Sequence, residues 1–264
     1  MPFVSAFLLG LVQGLTEFLP ISSSGHLVLA AELLGYRSPG LLLETAVHIA
    51  TTLAVIIYFR GRFVSIIKGG LNDLPTRRLV LMLALAFTTT AVVGLLLSSW
   101  ITAAFESPVI VGGMLLVTAI ALISVRYIPH VSDPNSLFSI TWKVALLIGL
   151  AQGVAIFPGI SRSGLTIIAG LWAGQSRSSA AEFSFLLAVP TVLAASLFSL
   201  IQEPEISSAG SVDILVAGFI AFISGLLAIH WLMRWLQRGR LWWFSGYCAL
   251  VGAISLLIWG SDLL

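Results

Sequence analysis

Long apolar stretches alternate with short polar ones along the whole chain. Six of these stretches are long enough to cross a lipid bilayer, which takes about 20 residues in an α-helix. They cover approximately residues 41–60, 79–98, 108–126, 182–201, 212–233 and 241–260. Because a backbone in lipid must satisfy its own hydrogen bonds, this pattern predicts an all-α, polytopic membrane protein.

Two further apolar segments, 1–34 and 142–174, are each interrupted by a polar turn. LPISSSGH at 19–26 interrupts the first segment, and FPGISRSG at 157–164 interrupts the second. Each segment predicts a short helix, a turn and a second short helix that enter and leave the membrane on one side. Such irregular backbone is tolerated at membrane depth only where protein or a water-filled cavity surrounds it.

The two interrupted segments are similar to each other. Residues 10–25 align without a gap with residues 149–164, a constant offset of 139 positions, and they share Gln, Ser and Gly residues. Each half holds one re-entrant segment and three full spans, so it crosses the membrane an odd number of times. The sequence therefore predicts one membrane domain over 1–264, made of inverted-topology repeats at about 1–128 and 139–264. The two broken segments are expected to meet near the midplane.

Composition and charge agree with this topology. The chain is 58% hydrophobic and 9% charged, with a mean hydropathy of +1.06, whereas about 25% of residues are charged in a soluble domain. Its net charge of +2 gives no reason to expect a nucleic-acid partner. Most basic residues fall on one face, which is predicted to be cytoplasmic: Arg60, Arg62, Lys68, Arg77, Arg78, Arg126, Lys143, Arg177, Arg234, Arg238 and Arg240. The other face holds Arg37, Glu106, Glu203, Glu205 and Asp213 and, by this prediction, both termini.

Arg162 differs from the other basic residues because it lies inside the second polar turn. A charge near the bilayer centre costs at least about 2.5 kcal/mol, so such a residue is expected to be functional and partnered. A guanidinium suits phosphate because its planar fork donates two parallel hydrogen bonds. Neighbouring glycines, hydroxyls and the N-terminus of a half-helix would add to an anion site. The predicted phosphate ligands of this turn are Gly159, Ser161, Arg162, Ser163 and Thr166; an arginine that serves helix packing alone is the alternative.

The first interrupted segment contains a carboxylate. Gln13 and Glu17 are four residues apart, so on a helix they share one face. A buried carboxylate needs a cation, and the sequence offers Arg162, a metal ion or a proton for this purpose.

The polar turn of the same segment adds a base and a nucleophile. His26, which titrates near neutrality, is a candidate acid, base or nucleophile, and a core histidine with satisfied hydrogen bonds is the alternative. Ser23 is the residue that aligns with Arg162 in the repeat, so the two would lie close together if the turns face each other. Ser22 and Ser24 complete the predicted phosphate ligands.

Polar residues of two full spans are weaker candidates. Glu44 and His48 could line the same cavity, but His48 could equally form a helix–helix hydrogen bond. Glu182 is predicted to be an interfacial charge, and Ser184 could reach the site.

At the two turns the sequence resembles the undecaprenyl-diphosphate phosphatase family of the bacitracin-resistance type. That family is marked by a (Glu/Gln)-x-x-x-Glu motif, a Ser-Gly-His motif and a Pro-Gly-x-Ser-Arg-Ser-x-x-Thr motif. Here these motifs are Gln13–Glu17, Ser24–His26 and Pro158–Thr166. The resemblance covers nearly the whole chain, including EFSFLLAVPT at 182–191. Gln13 occupies a position where the family also allows an acid, which weakens a metal site that needs two carboxylates.

The resemblance implies a hydrolase of the bacterial inner membrane, with a site that opens to the periplasm. It would convert undecaprenyl pyrophosphate, a polyprenyl carrier lipid of cell-wall synthesis, to the monophosphate. A divalent cation, Mg²⁺ or Ca²⁺, is implied, with Glu17 and Gln13 as its ligands. The implied catalytic residues are Glu17, Ser23, His26 and Arg162, and whether Ser23 or His26 attacks phosphorus is left open.

Other functions agree with the same sequence. Inverted repeats with broken helices are also a plan of transporters, so a transporter or flippase of a prenyl phosphate lipid is the main alternative. A passive assembly subunit is a third reading, which leaves the buried charges unexplained. The sequence is compatible with a homodimer but does not determine the oligomeric state.

Overall fold

A computed structural model describes residues 3–34, 41–70, 72–129, 137–202 and 210–260, and within these ranges all regular structure is helical. The α-helices are α1 (Phe3–Phe18), α2 (Ser23–Leu34), α3 (Leu41–Tyr58), α4 (Arg60–Gly69), α5 (Leu74–Leu96), α6 (Ser98–Phe105), α7 (Pro108–Ser124), α8 (Trp142–Val154), α9 (Arg162–Trp172), α10 (Arg177–Gln202), α11 (Ser211–Gln237) and α12 (Phe244–Trp259). Short 3-10 turns follow α7, precede α8 and precede α12.

The long helices correspond to the predicted spans. Five helical stretches, at α5, α7, α10, α11 and α12, are long and apolar enough to cross a membrane in the described part of the chain. The predicted span at 41–60 corresponds to α3, which ends at Tyr58, where the chain bends by 74° into α4. The prediction of an all-α, polytopic membrane protein is confirmed. Residues 60–69, nearly all of which lie beyond the predicted span, form the additional helix α4.

Each interrupted segment is a helix, a turn and a second helix, as predicted. The first helices of the two segments, α1 and α8, pack very closely on long helices. A Cβ atom on Gly10 of α1 would lie 2.3 Å from the Ala217 carbonyl oxygen of α11. A Cβ atom on Gly149 of α8 would lie 2.6 Å from the Ala86 carbonyl oxygen of α5. Glycine allows this approach, as small residues commonly do between membrane helices.

These two helix pairs are equivalent in the sequence repeat. The offset of 139 positions places α8 on α1 and α11 on α5. The first half of each interrupted segment therefore packs on the long helix that belongs to the other half of the chain. The inverted orientation of the two halves stays a prediction.

Several of the predicted cytoplasmic charges lie together at one end of the bundle. Arg62 Nε forms an ion pair with Glu182 Oε2 at 2.8 Å. Arg177 Nη1 donates to the last carbonyl of α11 at 3.0 Å, and the Arg126 guanidinium lies 4.6 Å from the ring centre of Trp242. These contacts join the helix ends where positive charge was expected. Three residues assigned to the opposite face, Arg37, Glu203 and Glu205, lie outside the described residues, as do both chain ends.

Polar capping residues mark where several helices begin. Asp73 and Ser107 each accept a hydrogen bond from the backbone N–H three residues further on, at 3.0 and 3.3 Å. Ser161 caps α9 in the same way, at 3.1 Å. A side-chain oxygen in this position satisfies an N–H group that has no partner within the helix. The second half-helix therefore begins in the polar turn, where its end can contribute to a site.

Candidate active site

The two polar turns lie against each other. The Gly159 N–H of the second turn donates to Ser22 Oγ of the first turn at 3.0 Å. A Cβ atom on Gly25 would lie 2.9 Å from Gly159 Cα, so the turns touch backbone to backbone. Gly159 has a φ of 96°, a conformation that glycine adopts readily. The predicted meeting of the two turns is confirmed.

Both second half-helices begin at this contact. Helix α2 begins at Ser23 and α9 begins at Arg162, which are equivalent positions in the repeat. The preceding residues, Ser22 and Ser161, each accept a hydrogen bond from the N–H three positions on. A helix N-terminus presents unpaired N–H groups and a partial positive charge. Two such ends at one contact make a suitable environment for an anion.

Glu17, at the end of α1, is contacted by one side chain from each of the half-helices α2 and α9. Arg162 Nη2 pairs with Oε1 at 2.5 Å, while Ser23 Oγ and Gln13 Nε2 donate to Oε2 at 2.8 and 3.0 Å. Both oxygens of this carboxyl group act as acceptors, an arrangement that suits its ionised form. The ion pair is shielded, since the side chains of Arg162 and Glu17 are 16% and 9% exposed. Ser23 and Arg162 thus meet on one carboxylate, as their alignment predicted.

Two buried polar atoms beside Glu17 have no hydrogen-bond partner in the part of the chain that the structure describes. They are Arg162 Nη1 and Gln13 Oε1. A buried polar group without a partner costs about 1–3 kcal/mol, and a charged one costs more. A bound ligand that supplies the missing hydrogen-bond partner would explain such an atom in a native site. Arg162 Nη1 offers a donor to an anion, and Gln13 Oε1 offers an oxygen to a cation or to a donor.

A narrow cleft, too tight in this structure to hold a water molecule, runs beside the ion pair. Its lining combines Glu17 and Phe18 of α1, Thr51, Thr52 and Val55 of α3, Arg162 of α9, and Ala188, Val189 and Val192 of α10. The cleft is therefore polar at one end and apolar along the α10 wall. Thr51 and Thr52 were not predicted from the sequence, although they follow His48 by three and four positions on α3.

The polar residues of the full spans take supporting positions. His48 Nδ1 contacts the Glu44 carbonyl oxygen of its own helix at 2.8 Å. It is not among the residues that line the cleft. Ser184 Oγ contacts Thr166 Oγ1 at 2.5 Å, so it reaches the second turn through that residue.

Several predicted phosphate ligands are engaged within the protein. Thr166 is fully buried, and its Oγ1 donates to the Arg162 carbonyl oxygen at 2.7 Å. Ser163 Oγ lies 3.3 Å from Ser161 Oγ, which also caps α9. Ser24 is partly buried beside Ser23. The hydroxyls of Ser161, Ser163 and Thr166 hold the second turn and α9 in place, and phosphate binding by these residues and by Ser24 stays a prediction.

Two contacts of the turns come from residues that the sequence did not single out. Thr118 of α7 donates to the Gly159 carbonyl oxygen at 2.8 Å and accepts from the Ser161 N–H at 3.1 Å. Tyr247 of α12 places its hydroxyl 2.7 Å from His26 Nε2. Thr118 carries a hydroxyl in an otherwise apolar span, and this alone is a weak indication that it contacts the turns. No spacing or repeat links Tyr247 to His26.

Two side chains at this site carry oxygens of the kind that a divalent cation binds. In the described ranges no group of three or more His, Cys, Asp or Glu side chains could hold a metal ion. Glu17 and the unpartnered Gln13 Oε1 supply a carboxylate and an amide oxygen, which are ligands that Mg²⁺ and Ca²⁺ prefer. Mg²⁺ commonly binds through one or two carboxylates together with substrate phosphates. The predicted metal site is compatible with this donor set and stays a prediction.

Comparison with known proteins confirms a similarity that covers nearly the whole chain. Residues 6–254 match the family described as Bacitracin resistance protein BacA. A protein of Desulfatibacillum aliphaticivorans named undecaprenyl-diphosphatase is 36% identical over 274 residues, which cover 97% of this chain and 99% of that protein. Proteins of the same name from Acinetobacter baumannii (strain AYE) and Desulforapulum autotrophicum are each 38% identical. Those alignments cover 96% and 97% of this chain, and 94% and 98% of the respective relatives.

Proposed function

Because this chain belongs to the Bacitracin resistance protein BacA family, we propose that it is an undecaprenyl-diphosphatase of the membrane. It removes the terminal phosphate of undecaprenyl pyrophosphate and leaves the monophosphate. One observation carries the assignment of the site: Arg162 is paired with Glu17 through Nη2, while its Nη1, a buried atom, has no partner in the described chain. An anionic headgroup supplies the acceptor that this nitrogen lacks.

The substrate is a lipid with a charged headgroup and an apolar chain. The cleft has a polar end and an apolar wall that suit these two parts. The pyrophosphate binds at Arg162 and at the N-termini of α2 and α9, where positive potential is concentrated. The prenyl chain lies along the apolar α10 wall that includes Val189 and Val192. An arginine suits the headgroup because its fork can bond Glu17 and a phosphate oxygen together.

Ser23 is the nucleophile that the contacts favour. Its Oγ already donates to Glu17 Oε2 at 2.8 Å, whereas both ring nitrogens of His26 are engaged elsewhere. Ser23 Oγ attacks the terminal phosphorus and its proton passes to Glu17. The bond from that phosphorus to the bridging oxygen breaks, and undecaprenyl monophosphate leaves.

Hydrolysis of the phosphoserine completes the cycle. Water attacks its phosphorus, the Ser23 Oγ–phosphorus bond breaks, and Glu17 returns the proton to Ser23 as inorganic phosphate is released. His26 is the proposed acceptor of the proton that the water loses, and it releases that proton to solvent before the next turnover. Positioning and charge neutralisation dominate phosphoryl transfer, so Arg162 is expected to have a large effect on the rate. A divalent cation held by Glu17 and Gln13 would neutralise phosphate charge further.

The orientation of the protein follows from its basic end. Arg62, Arg126 and Arg177 lie at the end of the bundle that the positive-inside rule makes cytoplasmic. We therefore place the chain in the bacterial inner membrane, with both termini and the opening of the site on the periplasmic side.

Purified protein and undecaprenyl pyrophosphate that is radiolabelled in its terminal phosphate test the activity and the nucleophile. Wild-type protein should release labelled phosphate, less of it with a chelator, and retain label as a phosphoserine, which survives acid and is lost in base. Ser23→Ala should abolish both signals, whereas Ser65→Ala, a change at an exposed serine of α4, should keep both. An acid-labile label that persists in Ser23→Ala would assign the attack to His26. Lipid movement across vesicles without phosphate release would support the transporter instead.

A further inference from the structure

His26 has both of its ring nitrogens in hydrogen bonds. Nδ1 lies 2.7 Å from the Ser22 carbonyl oxygen, in the first polar turn. Nε2 lies 2.7 Å from the hydroxyl of Tyr247, on α12. The two rings are nearly parallel, with 9° between their planes and 5.5 Å between their centres. The orientation of the imidazole is therefore defined from two sides.

These partners determine the tautomer of the neutral imidazole. A carbonyl oxygen can only accept a hydrogen bond, so Nδ1 must carry the hydrogen. Nε2 then has a free electron pair, and the Tyr247 hydroxyl must be the donor to it. Proton exchange by His26 consequently takes place at Nε2, and the Tyr247 hydroxyl must turn its hydrogen away from that atom before Nε2 takes up a proton. If Nε2 gains a proton, the same hydroxyl can accept from it, because a phenol both donates and accepts.

Tyr247 is held in this position by the packing of α12. The next residue, Cys248, is fully buried, and its Sγ lies 3.5 Å from the Pro20 carbonyl oxygen in the first polar turn. Further along α12, Ser255 Oγ donates to the Pro108 carbonyl oxygen of α7 at 3.0 Å. The helix is thus anchored both to the turn that precedes His26 and to α7.

We propose that Tyr247 is a positioning residue for hydrolysis, which acts by holding His26 in its Nδ1–H tautomer with Nε2 directed to a fixed place. This inference rests on the proposed function, because it assigns the role to a step in which His26 accepts a proton. Tyr247 acts through His26 and is not assigned a contact with substrate. The tyrosine is 43% exposed, so its hydroxyl can be removed without a cavity in the core.

Tyr247→Phe removes the hydroxyl and keeps the ring. Loss of a partner that orients a metal-binding histidine typically lowers activity by roughly tenfold to 100-fold, and the lower end of that range is the expectation for His26. We expect kcat for undecaprenyl pyrophosphate to fall about tenfold, with KM within about twofold of wild type. Tyr127→Phe, at a tyrosine that is 78% exposed, is the matched control and should change neither constant.

Two measurements separate positioning from a general effect on structure. In full-length protein with ¹⁵N-labelled histidine, the signal absent from His26→Ala identifies His26. In Tyr247→Phe its Nε2 resonance should move to the position of a nitrogen without a hydrogen-bond donor. If Tyr247 acts through His26, adding Tyr247→Phe to His26→Ala should not lower the residual kcat further.

The outcomes distinguish this inference from the assignment of the activity. Wild-type protein that releases no phosphate would overturn both. An active wild type with an unchanged kcat in Tyr247→Phe would overturn the positioning role alone. A further tenfold loss in the double variant would also overturn it, because Tyr247 would then act independently of His26.

Discussion

Replacing Arg162 with lysine separates the two functions of its guanidinium. Nη2 pairs with Glu17, and Nη1, which has no partner among the described residues, is proposed to bind phosphate. A lysine keeps the positive charge, and its ammonium can still pair with Glu17. It has no second nitrogen in a fixed fork, so the hydrogen bond to phosphate is lost.

The size of the effect follows from the lost hydrogen bond. A hydrogen bond that involves charged groups contributes about 1.5–3 kcal/mol. Each 1.36 kcal/mol changes a rate by about tenfold, so Arg162→Lys should lower kcat/KM by roughly tenfold to 150-fold. Arg162→Ala is a less selective change. It leaves Glu17 buried without its cation, which typically costs about 3–5 kcal/mol of stability.

The assay measures phosphate release by purified protein over a range of undecaprenyl pyrophosphate concentrations. Thermal unfolding in the same detergent shows whether Arg162→Lys remains folded. Arg62→Lys is the matched control, because Arg62 also pairs with a glutamate, at 2.8 Å, but its side chain is 43% exposed and lies at the basic end of the bundle. Its kcat/KM should stay within about twofold, since exposed ion pairs contribute little. A folded Arg162→Lys protein with wild-type kcat/KM would refute the reasoning.

Two further predictions concern stability. Gly149→Ala places a Cβ atom 2.6 Å from the Ala86 carbonyl oxygen and should lower the unfolding temperature, since overpacking costs about 1–3 kcal/mol. Gly113→Ala, with no atom within 4 Å of its Cβ, should leave the unfolding temperature unchanged. Equal unfolding temperatures for the Gly149→Ala and Gly113→Ala proteins would contradict the close packing of α8 on α5. Hydrogen bonds from the Thr76 side chain and backbone lower the pKa of Asp73 below its ordinary value of 3.8, so its charge stabilises the fold above that pH and ceases to do so as the pH falls through the lowered pKa. Asp73→Asn should therefore unfold at a lower temperature than wild type at neutral pH, and a difference that persists in strong acid would show that the carboxylate charge is not its cause.

Much of the architecture could be predicted because lipid limits what a chain can do. Apolar stretches of about 20 residues must be helical spans, and Gly/Ser/Pro turns inside two other segments showed where helices break. The repeat also predicted that Ser23 and Arg162 would meet, and both bind Glu17. The pattern did not show the bend at Phe59 or helix α4. A helix that lies outside the spans mixes charged and apolar residues, and therefore resembles a loop in hydropathy.

The sequence by itself determined which segments cross the membrane, which two are broken, and which polar residues belong to the breaks. Only the tertiary structure decided the partners of those residues. Tyr247 binds His26 although 221 positions separate them, and Thr118 braces Gly159 from another helix. The physical reason is that the hydropathy of one segment is enough to indicate whether that segment lies in lipid. A hydrogen bond between helices depends on their crossing and rotation, which all the packed side chains determine together.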